Sequence, residues 1–143
     1  MLCQRLYRIV LSVYLRRLGP DPSASEPLVR ALWQTNQYTP STGRVKPKAF
    51  EVNRADLTVS VARVIGLSER TIWRWIDTFV ARNNEDILFR ADLLVQEVRN
   101  VGLRVEPREP PVRHANITGW SAAKAEQKSR AQQLAAVARL VQR

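Results

Sequence analysis

Along the chain, apolar residues fall into short stretches whose spacing shifts between helical and alternating. Over Met1–Leu18 they stand at Leu2, Leu6, Ile9, Val10, Val13, Tyr14 and Leu18 with arginines between, which predicts one apolar stripe on a helix. Gly19–Ser25 carries a glycine and two prolines, residues that stop a helix and prevent its resumption, and predicts a linker. Leu28, Val29, Leu32 and Trp33 recur at helical spacing behind Ser25 and Pro27, predicting a short helix. Tyr38–Pro47, rich in Thr, Ser, Pro and Gly, predicts an exposed loop with a tight turn at Ser41-Thr42-Gly43. Arg44, Lys46 and Lys48 make this loop basic, fit either to touch phosphates or simply to be solvated.

Leu57, Val59 and Val61 alternate with polar residues, and the β-branched residues around them suit a strand. From Ser68 the period changes: Ile72, Trp75, Ile76, Phe79 and Val80 fall at i, i+3, i+4, i+7 and i+8. Ser68 is placed to cap that helix and Leu67 to staple it against Ile72, while Asn83-Asn84 ends it. Ile87–Phe89 reads as a short strand, Leu93–Val101 as a helix stopped by Gly102, and Leu103 with Val105 as a further strand. A stiff connection over Glu106–Pro111 leads to a last short strand at Ala115–Thr118, broken by Gly119. Ser121 then opens a long final helix whose buried stripe is Ala131, Leu134, Ala138 and Val141. No internal repeat is visible. The expected fold class is α+β: a helix-rich small single domain with a few short strands and a long C-terminal helix. Residues 1–25 form an N-terminal amphipathic extension and linker, and residues 26–143 the domain.

Composition narrows what such a domain can do. The 143 residues, 45% hydrophobic and 25% charged, suffice for one ordinary globular core. One cysteine, Cys3, excludes an internal disulfide and a thiol-built zinc site, and one histidine, His114, excludes a His-rich metal cluster. No cofactor or metal is expected. Lysine and arginine number 23 against 13 acidic residues, a net charge of +10 that suits an anionic partner. The excess gathers at the ends: Arg5, Arg8, Arg16 and Arg17 face only Asp21, and the last 23 residues hold five cations against Glu126. The apolar run Ile9–Leu15 is too short to span a bilayer, and it resembles a weak signal or transit segment without a convincing cleavage site. It reads either as a helix packed on the body or as translation begun upstream of the true start. The expected location is the cytoplasm.

Val61–Trp75 (Val-Ala-Arg-Val-Ile-Gly-Leu-Ser-Glu-Arg-Thr-Ile-Trp-Arg-Trp) resembles the helix-turn-helix of bacterial regulators and transposases. Ala62 stands where the second helix would cross the first, Gly66 where the turn needs a positive φ, and Val61, Ile65, Leu67, Ile72 and Trp75 where apolar contacts would close the pair. The resemblance implies that Ser68, Glu69, Arg70, Trp73 and Arg74 face a DNA groove, with Arg70 and Arg74 reaching base edges or phosphates. The same residues also fit a strand, a turn and a capped helix, because Val59, Val61, Val64 and Ile65 are β-branched and poor helix formers.

A second likeness, running from about Leu28 to the end, rests on Gly43–Phe50, Asp56–Val61, Arg113–Trp120, Lys124–Lys128 and the Leu134–Val141 tail. In these pieces the chain resembles small bacterial proteins without an assigned activity. The likeness implies a small α+β domain, a strand at Leu57–Val61, and residues 1–25 as an addition.

The remaining motifs say less. His114 has no nameable orienting partner for general-base work. Asn116-Ile117-Thr118 matches a glycosylation sequon without a secretion signal to give it meaning. Trp33, Trp73, Trp75 and Trp120 suit either base stacking or core packing. The leading expectation is a non-enzymatic nucleic-acid-binding protein, with DNA as partner, using Arg70 and Arg74 with Lys124, Lys128 and Arg130 adding phosphate attraction. The alternative is an accessory domain that binds a protein partner. An enzyme is disfavoured, since no nucleophile–base pair, phosphate-binding loop or metal-ligand set stands out.

Overall fold

The computed structural model describes residues 2–82 and 85–143, without the side chains of residues 2–4. The expected helix stop at Asn83-Asn84 therefore lies outside the described residues. Helix α1 (Leu2–Tyr14) leads through an irregular segment into strand β1 (Pro27–Leu32), a small hairpin of β2 (Tyr38–Thr39) and β3 (Arg44–Val45), and a 3-10 turn at Pro47–Phe50. Strand β4 (Val59–Arg63), helix α2 (Glu69–Phe79), strand β5 (Phe89–Leu94), helix α3 (Val95–Asn100) and strands β6 (Arg104–Pro107) and β7 (His114–Thr118) follow. Helix α4 (Lys124–Val137) and strand β8 (Arg139–Gln142) complete the chain. The fold is α+β, with one antiparallel six-stranded sheet in the order β6-β7-β4-β1-β5-β8.

Side-chain alternation divides the strands between two cores. On one face Leu28, Leu32, Val59, Val61, Ala91, Leu93, Ala115 and Ile117 pack with the 3-10 turn, α3 and α4, whose Ala131, Leu134 and Ala135 are buried. On the other, Val29, Ala31, Ala62 and Val64 pack with Ile72, Trp73, Trp75 and Ile76 of α2, with Leu11 of α1 and with Leu15 just after it. Helix α2 begins as its sequence predicts. Ser68 is the cap, and its hydroxyl accepts from the Thr71 N–H.

Three expectations are corrected. Leu28–Trp33 forms no helix: Leu28–Leu32 lies in β1, a central strand between two covered faces. Burial of Leu28, Val29, Ala31 and Leu32 together produces the dense apolar run that the sequence offers as helical. The helix-turn-helix resemblance called for a helix over Val61–Ile65, but Val61–Arg63 belongs to β4 and Ile65-Gly66 to the turn that follows. The β-branched residues prefer the pleated, paired backbone, and Gly66 still takes a positive φ of 75° at the strand–helix turn. The final helix stops at Val137. It starts at Lys124 with Ala123 as cap, while the Ser121 hydroxyl accepts from the Ala123 N–H, and Arg139–Gln142 becomes the edge strand β8 paired with β5.

The linker is fastened throughout. Backbone carbonyls of Arg16, Gly19, Pro22 and Ala24 accept hydrogen bonds from Arg113, Arg63, Arg99 and the Gln96 N–H respectively. The Arg63 side chain also forms a buried two-pronged ion pair with Glu26 at the entrance to β1. Among the described residues, no helix is long and apolar enough to cross a membrane.

Candidate functional site

The sequence-predicted contacts do not form one surface. Arg70 and Arg74 are exposed on α2, and Ser68 is spent on its cap. Trp73 is buried, 8% exposed, with the guanidinium groups of Arg90 and Arg143 over its ring at 4.9 and 4.8 Å from the centroid. It is a packing residue and cannot reach a DNA groove. Arg90 is itself buried and makes two-pronged pairs with Glu69 and Asp92, which hold its guanidinium charged despite the burial. Lys124 and Lys128 are exposed on α4, which covers the opposite face of the sheet from α2. A ligand lying along α2 would not meet them.

A concavity arises where the sheet splits. Strands β1 and β4 pair at Leu28 with Arg63 and Val29 with Ala62, then part, so Arg30–Leu32 does not pair with Val59–Val61. A groove of about 810 Å³ opens there, walled by Trp33, Gln34 and Gln37 beyond β1, Lys48, Glu51–Arg54, Thr58–Val61, and Trp75, Ile76 and Phe79–Arg82 at and beyond the end of α2. Its cationic lining residues are Arg8, Arg30, Lys48, Arg54 and Arg82, against Glu51 as the acid. Glu51 pairs with Lys48, leaving the other four without its charge.

Arg30 occupies the split. Its Nε donates to the Ala49 carbonyl at 2.9 Å and its Nη1 to the Ser60 carbonyl at 2.8 Å. Both acceptors are neutral, and among the described residues no carboxylate forms an ion pair with it. Desolvation accordingly pushes its guanidinium down to about 10. This is the reverse of Arg90, whose two acids compensate its desolvation. A half-buried arginine without a carboxylate partner is placed to take an anion, because the attraction is less screened there than in open water. The Arg30 Cζ also lies 5.2 Å from the Trp33 ring centroid. Trp33 is 44% exposed, whereas Trp75 and Trp120 are buried with their indole N–H groups donating to the Val112 and Ile117 carbonyls.

His114 reaches the same groove from β7, with Nδ1 2.6 Å from the Arg108 carbonyl. A carbonyl can only accept, so Nδ1 carries the proton. Among the described residues no carboxylate orients the ring, and its Nδ1 partner is a backbone carbonyl rather than the acid that commonly orients a general base. Among the described residues, no group of histidine, cysteine, aspartate or glutamate is assembled to hold a metal ion.

Sequence reasoning missed Arg30, Arg54, Arg82 and the particular place of Trp33, while it did flag Lys48 in a basic loop. The signal was present in one form: Arg30 interrupts an otherwise apolar run, Leu28–Leu32, and a cation in a doubly covered strand must be accounted for. Compared with protein-family models, curated proteins and solved structures, the chain matches none.

Proposed function

We propose that the protein is a non-enzymatic, cytoplasmic nucleic-acid-binding module that takes a single strand in the groove between β1 and β4. The observation that carries this reading is Arg30, a half-buried cation that donates only to neutral carbonyls and, among the described residues, pairs with no carboxylate, set in a groove whose charged lining is mostly basic. Arg8, Arg54 and Arg82 can follow the phosphates of a backbone passing over it. Trp33 offers a ring face, which a base reaches only when it is not paired and stacked inside a duplex. In this reading Arg70 and Arg74 are solvated cations of α2.

The test is fluorescence anisotropy with a labelled oligothymidine and with a duplex, each at two salt concentrations. The single strand should bind more tightly than the duplex, more weakly at high salt. Arg30→Gln and Trp33→Ala should each weaken it about tenfold, and Arg70→Ala with Arg74→Ala should leave it unchanged. Preference for the duplex, lost in the Arg70/Arg74 double variant, would overturn the groove in favour of α2.

A second reading, a protein-interaction domain, is favoured by the edges of Arg30–Leu32 and Val59–Val61 that face each other without pairing, each segment being paired on its other side with β5 or β7. An extended acidic peptide could add its own hydrogen bonds there. Binding of a polyglutamate peptide without binding of oligothymidine would select it.

A further inference from the structure

Helix α1 presents a surface that neither the core nor the groove uses. It rests on α2 through Leu11, is followed onto the same cluster by the buried Leu15, and is tied by Arg8, whose Nε donates to the Thr78 carbonyl at 3.1 Å. On its other side Leu6, Ile9, Val10, Val13 and Tyr14 fall at i, i+3, i+4, i+7 and i+8, and all are exposed, Ile9 by 64% and Val13 by 82%. Five large apolar residues in one stripe, turned away from the protein, form an extended patch of the kind that marks an interaction surface. Arg5 and Arg16 border it, Arg17 beside them is paired with Glu109, and no acidic residue precedes Asp21 in the sequence.

We infer that α1 docks the protein onto an anionic lipid surface, lying in the plane of the interface with this stripe in the acyl boundary. Charge chooses the occupant. A second copy of α1 would bring two all-cationic segments together, whereas anionic headgroups complement the arginines as the aliphatic stripe enters the lipid. Length excludes a span: 13 residues of helix reach about 20 Å, short of a hydrocarbon core of about 30 Å. Tyr14, at the end of the stripe, has the amphipathic ring that settles at headgroup depth.

Flotation of the full chain with vesicles supplies the test. Wild-type protein should float with vesicles of equal parts phosphatidylcholine and phosphatidylglycerol, not with phosphatidylcholine alone, and release as salt rises. Ile9→Ser with Val13→Ser should lower binding at least tenfold while near-ultraviolet circular dichroism stays unchanged, since both side chains are exposed. Arg5→Ala with Arg16→Ala should weaken binding, while Arg70→Ala with Arg74→Ala, which removes the same charge elsewhere, should not. Arg30→Gln should also float as wild type, which separates this surface from the groove. The inference is overturned if wild type fails to float, if both arginine pairs matter equally, or if sedimentation shows a dimer that the Ile9/Val13 variant dissolves.

Discussion

Arg90 and Arg30 lie on neighbouring strands and show how differently one residue type can be used. Arg90 is surrounded by Glu69, Asp92 and the Trp73 ring, so its charge holds α2 against β5. Arg90→Ala should cost about 3 kcal/mol in urea unfolding, near the low end for a broken buried pair because Glu69 is 70% exposed. The hydrogen bonds from Arg90 hold the Glu69 carboxyl below its ordinary value of 4.5. A lowered carboxyl adds stability that is whole above 4.5 and fades as pH falls through the lowered value. Unfolding midpoints over an acidic pH series should therefore fall less steeply in Glu69→Gln than in wild type. Among the described residues Arg30 pairs with no such acids. A bound phosphate would supply the missing charge, which is why the binding experiment turns on that residue.

At the scale of elements, the junction between β4 and α2 was the most legible part of the chain and also the most ambiguous. Gly66, Leu67, Ser68 and Ile72 specify a turn followed by a capped, stapled helix, whichever element precedes it. Gly66→Ala should destabilise by roughly 1–2 kcal/mol, the cost of placing a Cβ at positive φ, because nothing nearby offsets it. Gly19→Ala, without positive φ and in open space, should be neutral in the same thermal melts. Ser68→Ala should cost about 1 kcal/mol by loss of the cap to the Thr71 N–H. What the local pattern left open was the identity of the preceding element. Pairing with β7, through Val59–Ile117 and its neighbours, decides for a strand, and that pairing joins residues far apart in sequence.

For the whole molecule, the net charge of +10 resolves into separate surfaces: α1 with its flanking arginines, the groove, the outer face of α2 and the outer face of α4. Salt dependence can count which of them a nucleic-acid strand touches. The slope of log affinity against log salt should be set by the groove cations at about 0.7 per phosphate neutralised. Arg54→Ala should reduce it by one such step, and Lys124→Ala with Lys128→Ala by none. The sequence by itself determined the α+β class, the α2 helix with its cap, the strands β4, β6 and β7, and the exclusion of an internal disulfide or a thiol-built zinc site. These follow from periodicity, capping and residue counts, which act within a few residues or over the composition as a whole. Strand β5 (Phe89–Leu94), by contrast, runs through residues that the sequence read partly as a strand at Ile87–Phe89 and partly as the start of a helix at Leu93. Only the tertiary structure decided that Leu28–Leu32 is a strand, that Arg139–Gln142 leaves the last helix to pair with β5, and that β1 and β4 separate around Arg30. Each depends on a distant partner. A doubly buried strand and a buried helix read alike until both covering layers are in place, and an arginine's missing counter-charge becomes visible only once its neighbours are known.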